Sequence, residues 1–203
     1  MVNLRNIPGQ SALRGLESKN APIPDGSEGT TIIRDTGVSD KINLRTSPDN
    51  KIVRRAVKRS VGTDLPLDAN TFTAAGDRMV IWLGPDEWMI MAENGAAPSI
   101  IADLDTPEAG HVAATDISDA IGVVTMTGPH VRAVLAKHCG LDLHPGAFTP
   151  GMAQQTLLSH AGVTIACLEE DHFMVIGRSS FMPYIVALLQ DASIEFGYEY
   201  HAA

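Results

Sequence analysis

The sequence predicts an α+β fold built from two tandem βαββαβ halves packed together, and three observations carry that reading. Two apolar runs, residues 79–83 and 88–91, flank Gly84-Pro85-Asp86-Glu87, and a second pair, 163–168 and 172–176, flanks Glu169-Glu170-Asp171. The first pair reads as a hairpin because Pro85 presets φ and Gly84 tolerates unusual backbone angles at a turn, and the second, joined by three acidic residues, reads as its counterpart. Ahead of each hairpin lies an amphipathic helical pattern closed by a glycine, Gly62 or Gly140. The spacing agrees as well. Asp64 to Asp142 is 78 positions and Trp88 to Phe173 is 85, a difference that one loop longer by seven residues absorbs at little cost.

Taken in order, residues 1–30 are rich in Gly, Pro, Ser and Asn, and only the stretch Ser11-Ala12-Leu13-Arg14-Gly15-Leu16 offers apolar anchors. They are expected to form an extended arm, either packed along another surface or mobile. The first half, 31–118, opens with a strand at Thr31-Ile32-Ile33-Arg34. A second, residues 41–46, alternates polar and apolar as a half-buried strand does. Ser47-Pro48-Asp49 supplies an N-cap and turn. A helix over residues 51–61 follows, with Ile52, Val53, Ala56, Val57 and Val61 on one face. After Leu65-Pro66-Leu67 and a polar loop come the tryptophan hairpin, a short helix over 98–104 and a strand over 112–117.

The second half, 119–203, repeats this order. A strand spans 123–127, and Gly128-Pro129 opens a helix that places Val131, Val134, Leu135, His138 and Cys139 on one face. The second hairpin, a helix over 183–191 and a last strand over 194–200 complete it. Strand, helix, strand, strand, helix, strand is the split βαβ order of a ferredoxin-like unit, here present twice.

Hydrophobic residues make up 44% of the 203, enough for a substantial core. With aromatics at only 5%, Val, Ile, Leu and Met must do most of the packing. A net charge of −9 argues against nucleic-acid binding, which needs a positive surface. No signal-peptide core opens the chain, and no run approaches the roughly 18 apolar residues of a membrane span. The expectation is a soluble cytoplasmic protein without nucleic-acid or membrane partners, whose Cys139 and Cys167 are buried thiols rather than a disulfide.

No phosphate loop, dinucleotide fingerprint, nucleophile elbow or metal-ligand pair is present. The seven histidines do not cluster, and Asp142 with His144 lacks a third ligand, so no catalytic or metal-binding residue is expected. The one concentrated feature is the helix over 51–61, which carries Lys51, Arg54, Arg55, Lys58 and Arg59, five of the fifteen basic residues. It reads either as a solvated helix face or as a docking patch for an acidic partner. Asp116-Ile117-Ser118 reads as a structural turn, and Arg178 as a surface ion pair or an anion contact. If Trp82 or Trp88 reaches the surface, a partner chain over it is expected.

Several stretches together resemble the gamma subunit family of bacterial heterotetrameric sarcosine oxidase. They are Trp82-Leu83-Gly84-Pro85-Asp86-Glu87-Trp88, Thr115-Asp116-Ile117-Ser118, and Gly128-Pro129 leading into Val134-Leu135. Cys139-Gly140-Leu141-Asp142-Leu143, Phe148-Thr149-Pro150-Gly151, Arg178-Ser179-Ser180 and Leu188-Leu189-Gln190-Asp191-Ala192 continue the match. The resemblance implies a chain related to the folate-binding region of glycine-cleavage aminomethyltransferases (T-protein). In that family the holoenzyme demethylates sarcosine oxidatively to glycine, hydrogen peroxide and 5,10-methylenetetrahydrofolate. FAD, FMN, NAD and the tetrahydrofolate site lie on other chains, and the gamma chain packs non-catalytically with the alpha, beta and delta subunits. Aminomethyltransferases carry Gly-Gly and paired Asp residues where Ala75-Gly76-Asp77-Arg78 stands here, a departure that argues against independent folate chemistry. The alternatives are a free-standing tetrahydrofolate-dependent aminomethyl or methyl transferase, in which Asp116 would contact folate, and a folate-sensing module. The partner-interface residues expected from the sequence are Arg54, Arg55, Lys58, Arg59, Trp82 and Trp88.

Overall fold

The two tryptophan-bearing runs pair as a hairpin, and what covers them explains why they show no polar alternation. The computed structural model describes residues 9–24 and 29–203. In chain order the early elements are β1 (Lys19–Ala21), β2 (Thr31–Asp35), β3 (Asp40–Thr46), α1 (Lys51–Val61), β4 (Phe72–Ala75), β5 (Arg78–Gly84), β6 (Glu87–Ala92), α2 (Ala97–Leu104) and β7 (Val112–Asp116). Then come β8 (Ile121–Thr127), α3 (Val131–Ala136), β9 (Ala153–Leu158), β10 (Ala161–Glu169), β11 (His172–Arg178), α4 (Met182–Ser193) and β12 (Tyr198–His201).

One sheet is antiparallel throughout, in the order β4-β5-β6-β3-β7. Apart from the extra edge strand β4, this is the ferredoxin-like arrangement of the first repeat. In its central hairpin Trp82 pairs with Trp88, Val80 with Ile90 and Met79 with Met91. Successive side chains alternate faces. Val80, Trp88, Ile90 and Ala92 join the core beneath α1 and α2, with Trp82 at its margin. Met79, Ile81, Met89 and Met91 join the opposite core, packed on Val123, Ala166 and Ile176 of the other sheet. That second sheet runs β1-β12-β2-β8-β11-β10-β9, and its far face packs on α3 and α4 through Val134, Leu135, Ile185 and Leu189. The layers are therefore helices, sheet, sheet, helices. Strands buried on both faces read as continuous apolar runs.

Local chemistry fixes the helices. The Asn50 side chain accepts a hydrogen bond from the Val53 N–H at 3.2 Å, which makes Asn50 the N-cap of α1 rather than the Ser47-Pro48-Asp49 turn expected to supply it. Gly62 closes α1 at φ 89°, a left-handed conformation glycine adopts without a Cβ penalty. No residue of α2 caps its own N-terminus. Instead the buried Asp40 carboxylate accepts the Ala97 N–H at 2.6 Å from β3, placing negative charge at the positive helix end.

Several expectations are corrected. The run Thr31-Ile32-Ile33-Arg34, expected to open the first half, lies within β2 in the seven-stranded sheet, antiparallel to β8 and parallel to β12. Of the two expectations for the N-terminal arm, packing along another surface describes its described part, which joins the same sheet. Leu13 is buried in its core, and β1 adds an antiparallel edge strand to β12; residues 1–8 and 25–28 lie outside the described residues. The helix expected to reach Cys139 ends at Ala136, and Cys139 forms a bridge with Leu158 instead. Ile194 to Phe196 turn rather than extend, and β12 begins only after Gly197, whose φ is 77°. β4 falls in the stretch expected as a polar loop, and β9 in a stretch given no element by the sequence.

Candidate subunit interface

Seen along its axis, α1 divides cleanly. Val53, Ala56, Val57 and Val61 are buried, and Lys51, Arg54, Arg55, Lys58 and Arg59 are exposed on the opposite side. The helix carries no acidic residue in its first turn. Lys58 pairs with Asp64 at 2.9 Å and Arg59 with Asp103 at 3.6 Å. Among the described residues Lys51, Arg54 and Arg55 enter no ion pair, and Ile52 is 45% exposed beside them.

The tryptophans part company. Trp82 is half-buried at the margin of the core beneath α1 and α2. Trp88 is fully buried there, and its indole N–H donates to the Pro66 carbonyl oxygen at 2.7 Å. Trp88 is therefore an internal packing residue with no surface to offer a partner, which corrects its place among the expected interface residues. Trp82 and Trp88 are cross-strand partners on one face of the hairpin, and the chain's own helices fill that face.

The remaining candidates are structural. Asp116 accepts hydrogen bonds from the Ser118 N–H at 3.0 Å and hydroxyl at 2.5 Å, closing a turn. Arg178 is exposed and forms no ion pair among the described residues. His138, His144 and His172 remain apart, and no group of His, Cys, Asp and Glu among the described residues is arranged to hold a metal ion. Both cysteines are buried free thiols. Burial pushes the Cys167 thiol pKa up, against the opposing pull of the Arg132 guanidinium.

The structure adds arrangements that local sequence patterns do not show. Arg132, on α3, donates to the carbonyls of Leu143 at 2.7 Å, Phe148 at 3.0 Å and Glu170 at 3.1 Å, and its guanidinium lies 4.8 Å from the Phe173 ring centroid. It ties the 141–150 loop and the β10–β11 turn to one helix. Lys41, first residue of the run expected to alternate as a half-buried strand, is only 2% exposed, and its ammonium donates to the Ser39 carbonyl at 2.8 Å. Burial lowers its pKa, with Asp40, Asp35 and Asp119 opposing the shift. At the seam between the sheets an open cleft of about 580 Å³ is lined by Phe72, Met79, Met91, Leu168 and Met174, with Arg78 at its edge. Arg78 is already committed to the Glu93 carboxylate and the Ser60 carbonyl.

The stacked arrangement is shared with glycine-cleavage aminomethyltransferase T from Bartonella henselae. That structure superposes with a TM-score of 0.62 at 14% identity, covering 86% of this chain and 48% of the other, a likeness of fold alone. The fold is thus of the aminomethyltransferase-like α+β class. Within that class residues 45–195 match the family described as sarcosine oxidase, gamma subunit, and the chain belongs to it. Sarcosine oxidase subunit gamma from Corynebacterium sp. (strain P-1) is 33% identical over 174 residues, 84% of each chain. The subunit gamma from Corynebacterium sp. (strain U-96) is 30% identical over 201 residues, 96% of this chain and 93% of the relative. A chain of the heterotetrameric sarcosine oxidase from Corynebacterium sp. U-96, solved in complex with pyrrole 2-carboxylate, superposes with a TM-score of 0.74 at 27% identity. It covers 82% of this chain and 85% of that one.

Proposed function

We propose that this chain is a non-catalytic structural subunit of a heterotetrameric sarcosine oxidase, joined to larger alpha and beta chains and a delta chain. The observation that carries the reading is similarity along most of the chain to gamma subunits, together with the superposition on a chain of the heterotetrameric enzyme. The residues themselves agree with a structural role. The longer polar networks, around Arg132 and around Asp40, hold backbone in place.

FAD, FMN, NAD and tetrahydrofolate belong, in this proposal, to other chains of the assembly. We place the assembly in the cytoplasm, a reducing compartment in which two buried free thiols are at home.

Co-expression with the large subunits tests the proposal. The chain is expected to co-elute with them, and a chain that stays alone as a well-behaved monomer would sink it. Calorimetry of the isolated chain with tetrahydrofolate separates the alternative, since micromolar binding would favour a free-standing transferase.

A further inference from the structure

We infer that the outer face of α1 is a docking surface for an acidic patch on a larger subunit of the assembly, an inference that rests on the subunit reading above. Three independent features of the helix converge on it. Five of the fifteen Lys and Arg residues fall within eleven positions of a chain whose net charge is −9, and all five face outward. The flanking pair, Lys58 and Arg59, is neutralised internally by Asp64 and Asp103, whereas Lys51, Arg54 and Arg55 enter no ion pair among the described residues. Lys51 and Arg54 also sit in the first helical turn, where the positive end of the helix dipole repels them. Their placement thus works against the helix that carries them and gains no intramolecular partner in return.

Such a surface is complementary to carboxylates. Arginine forks engage them with two parallel N–H···O bonds, which favours Asp or Glu side chains held on a partner chain. Ile52, 45% exposed beside the unpaired cations, supplies the apolar contact around which such charges are desolvated. The acidic remainder of this chain repels the same partner, so the helix selects one orientation of approach.

The test is association of the full chain with the assembly of the remaining subunits, followed by surface plasmon resonance at low and high salt. Reversing Arg54→Glu and Arg55→Glu together is expected to lower the association rate about tenfold at low salt and to flatten its salt dependence. The neutral pair Arg54→Gln and Arg55→Gln gives an intermediate loss. A control with equal charge change, Lys19→Glu with Arg34→Glu on exposed positions of the seven-stranded sheet, stays within about twofold of the parent. The reversed helix is expected to melt no lower than the parent, because the added acid near the N-terminus agrees with the dipole. Association unchanged by both α1 pairs, or weakened equally by the control, overturns this inference alone. A parent chain that does not associate at all overturns the subunit reading with it.

Discussion

Trp88→Phe isolates the link between the tryptophan hairpin and the rest of the fold. The indole is fully buried, and its N–H reaches the buried Pro66 carbonyl at 2.7 Å. Phenylalanine keeps an aromatic ring in place but removes that donor, and an orphaned buried carbonyl costs about 1–3 kcal/mol. The missing fused ring leaves roughly 40 Å³ unfilled, worth about 1 kcal/mol at the usual cavity coefficient. The combined loss is about 2–4 kcal/mol, a large share of the ~5–15 kcal/mol that holds a typical domain folded. Urea unfolding followed by circular dichroism reads it as a midpoint lower by about 1–2 M at unchanged slope. Trp82→Phe is the internal standard. Trp82 is only half-buried and its indole makes no hydrogen bond among the described residues, so about 1 kcal/mol or less is expected. The Trp82→Phe protein, left with Trp88 alone, should emit at short wavelength and resist acrylamide quenching. A Trp88→Phe cost below about 1 kcal/mol, or no larger than that of Trp82→Phe, would refute the assignment of Trp88 as the core anchor.

Three further outcomes are expected. Arg132→Ala strips the Leu143, Phe148 and Glu170 carbonyls of their shared donor and should cost about 2–3 kcal/mol in thermal unfolding; Arg132→Lys should recover only part, since one ammonium cannot span the fork. The Arg78 guanidinium, bonded through Nε at 2.9 Å, draws the Glu93 pKa from an ordinary 4.5 down to about 2. Because the unfolded chain binds the extra proton in that window, this contribution is complete above pH 4.5 and is lost as pH falls towards about 2. Glu93→Gln should flatten stability against pH there, and an unaltered profile would argue that the pair is not formed. Gly128→Ala places a methyl group against the Thr30 carbonyl at a backbone φ of 129°, so it should destabilise the β2–β8 junction by about 2 kcal/mol or more. Hydrogen exchange of the Ile32 and Ile33 amides would report that loosening.

What could be read in advance divides along physical lines. The runs at 79–83 and 88–91 were legible because burial on both faces removes alternation, and α1 because its apolar stripe is continuous. β4 and β9 escaped notice because edge strands tolerate polar composition, and Gln154-Gln155-Thr156 looks like loop. The sheet to which Thr31–Asp35 belongs was undetermined locally, since pairing with β12 is decided by residues at the far end of the chain. Arg132 gave no local sign of its reach, because its acceptor carbonyls lie 11, 16 and 38 positions away. For the interface the basic stripe was visible as composition. That Lys58 and Arg59 are satisfied internally while Arg54 and Arg55 are not required coordinates.

The position of β2 between β8 and β12 bears on how the chain is made as well as on how it looks. Every strand of the five-stranded sheet lies between Asp40 and Asp116, so that sheet can close while the ribosome is still supplying the rest. The seven-stranded sheet cannot, because β2 emerges early and waits for β12, the last strand to appear. During that interval β2 presents an unpaired edge of Ile32 and Ile33, the kind of surface to which stray strands add. Slower synthesis or a chaperone that covers this edge is then expected to raise the fraction of chains that fold, independently of final stability.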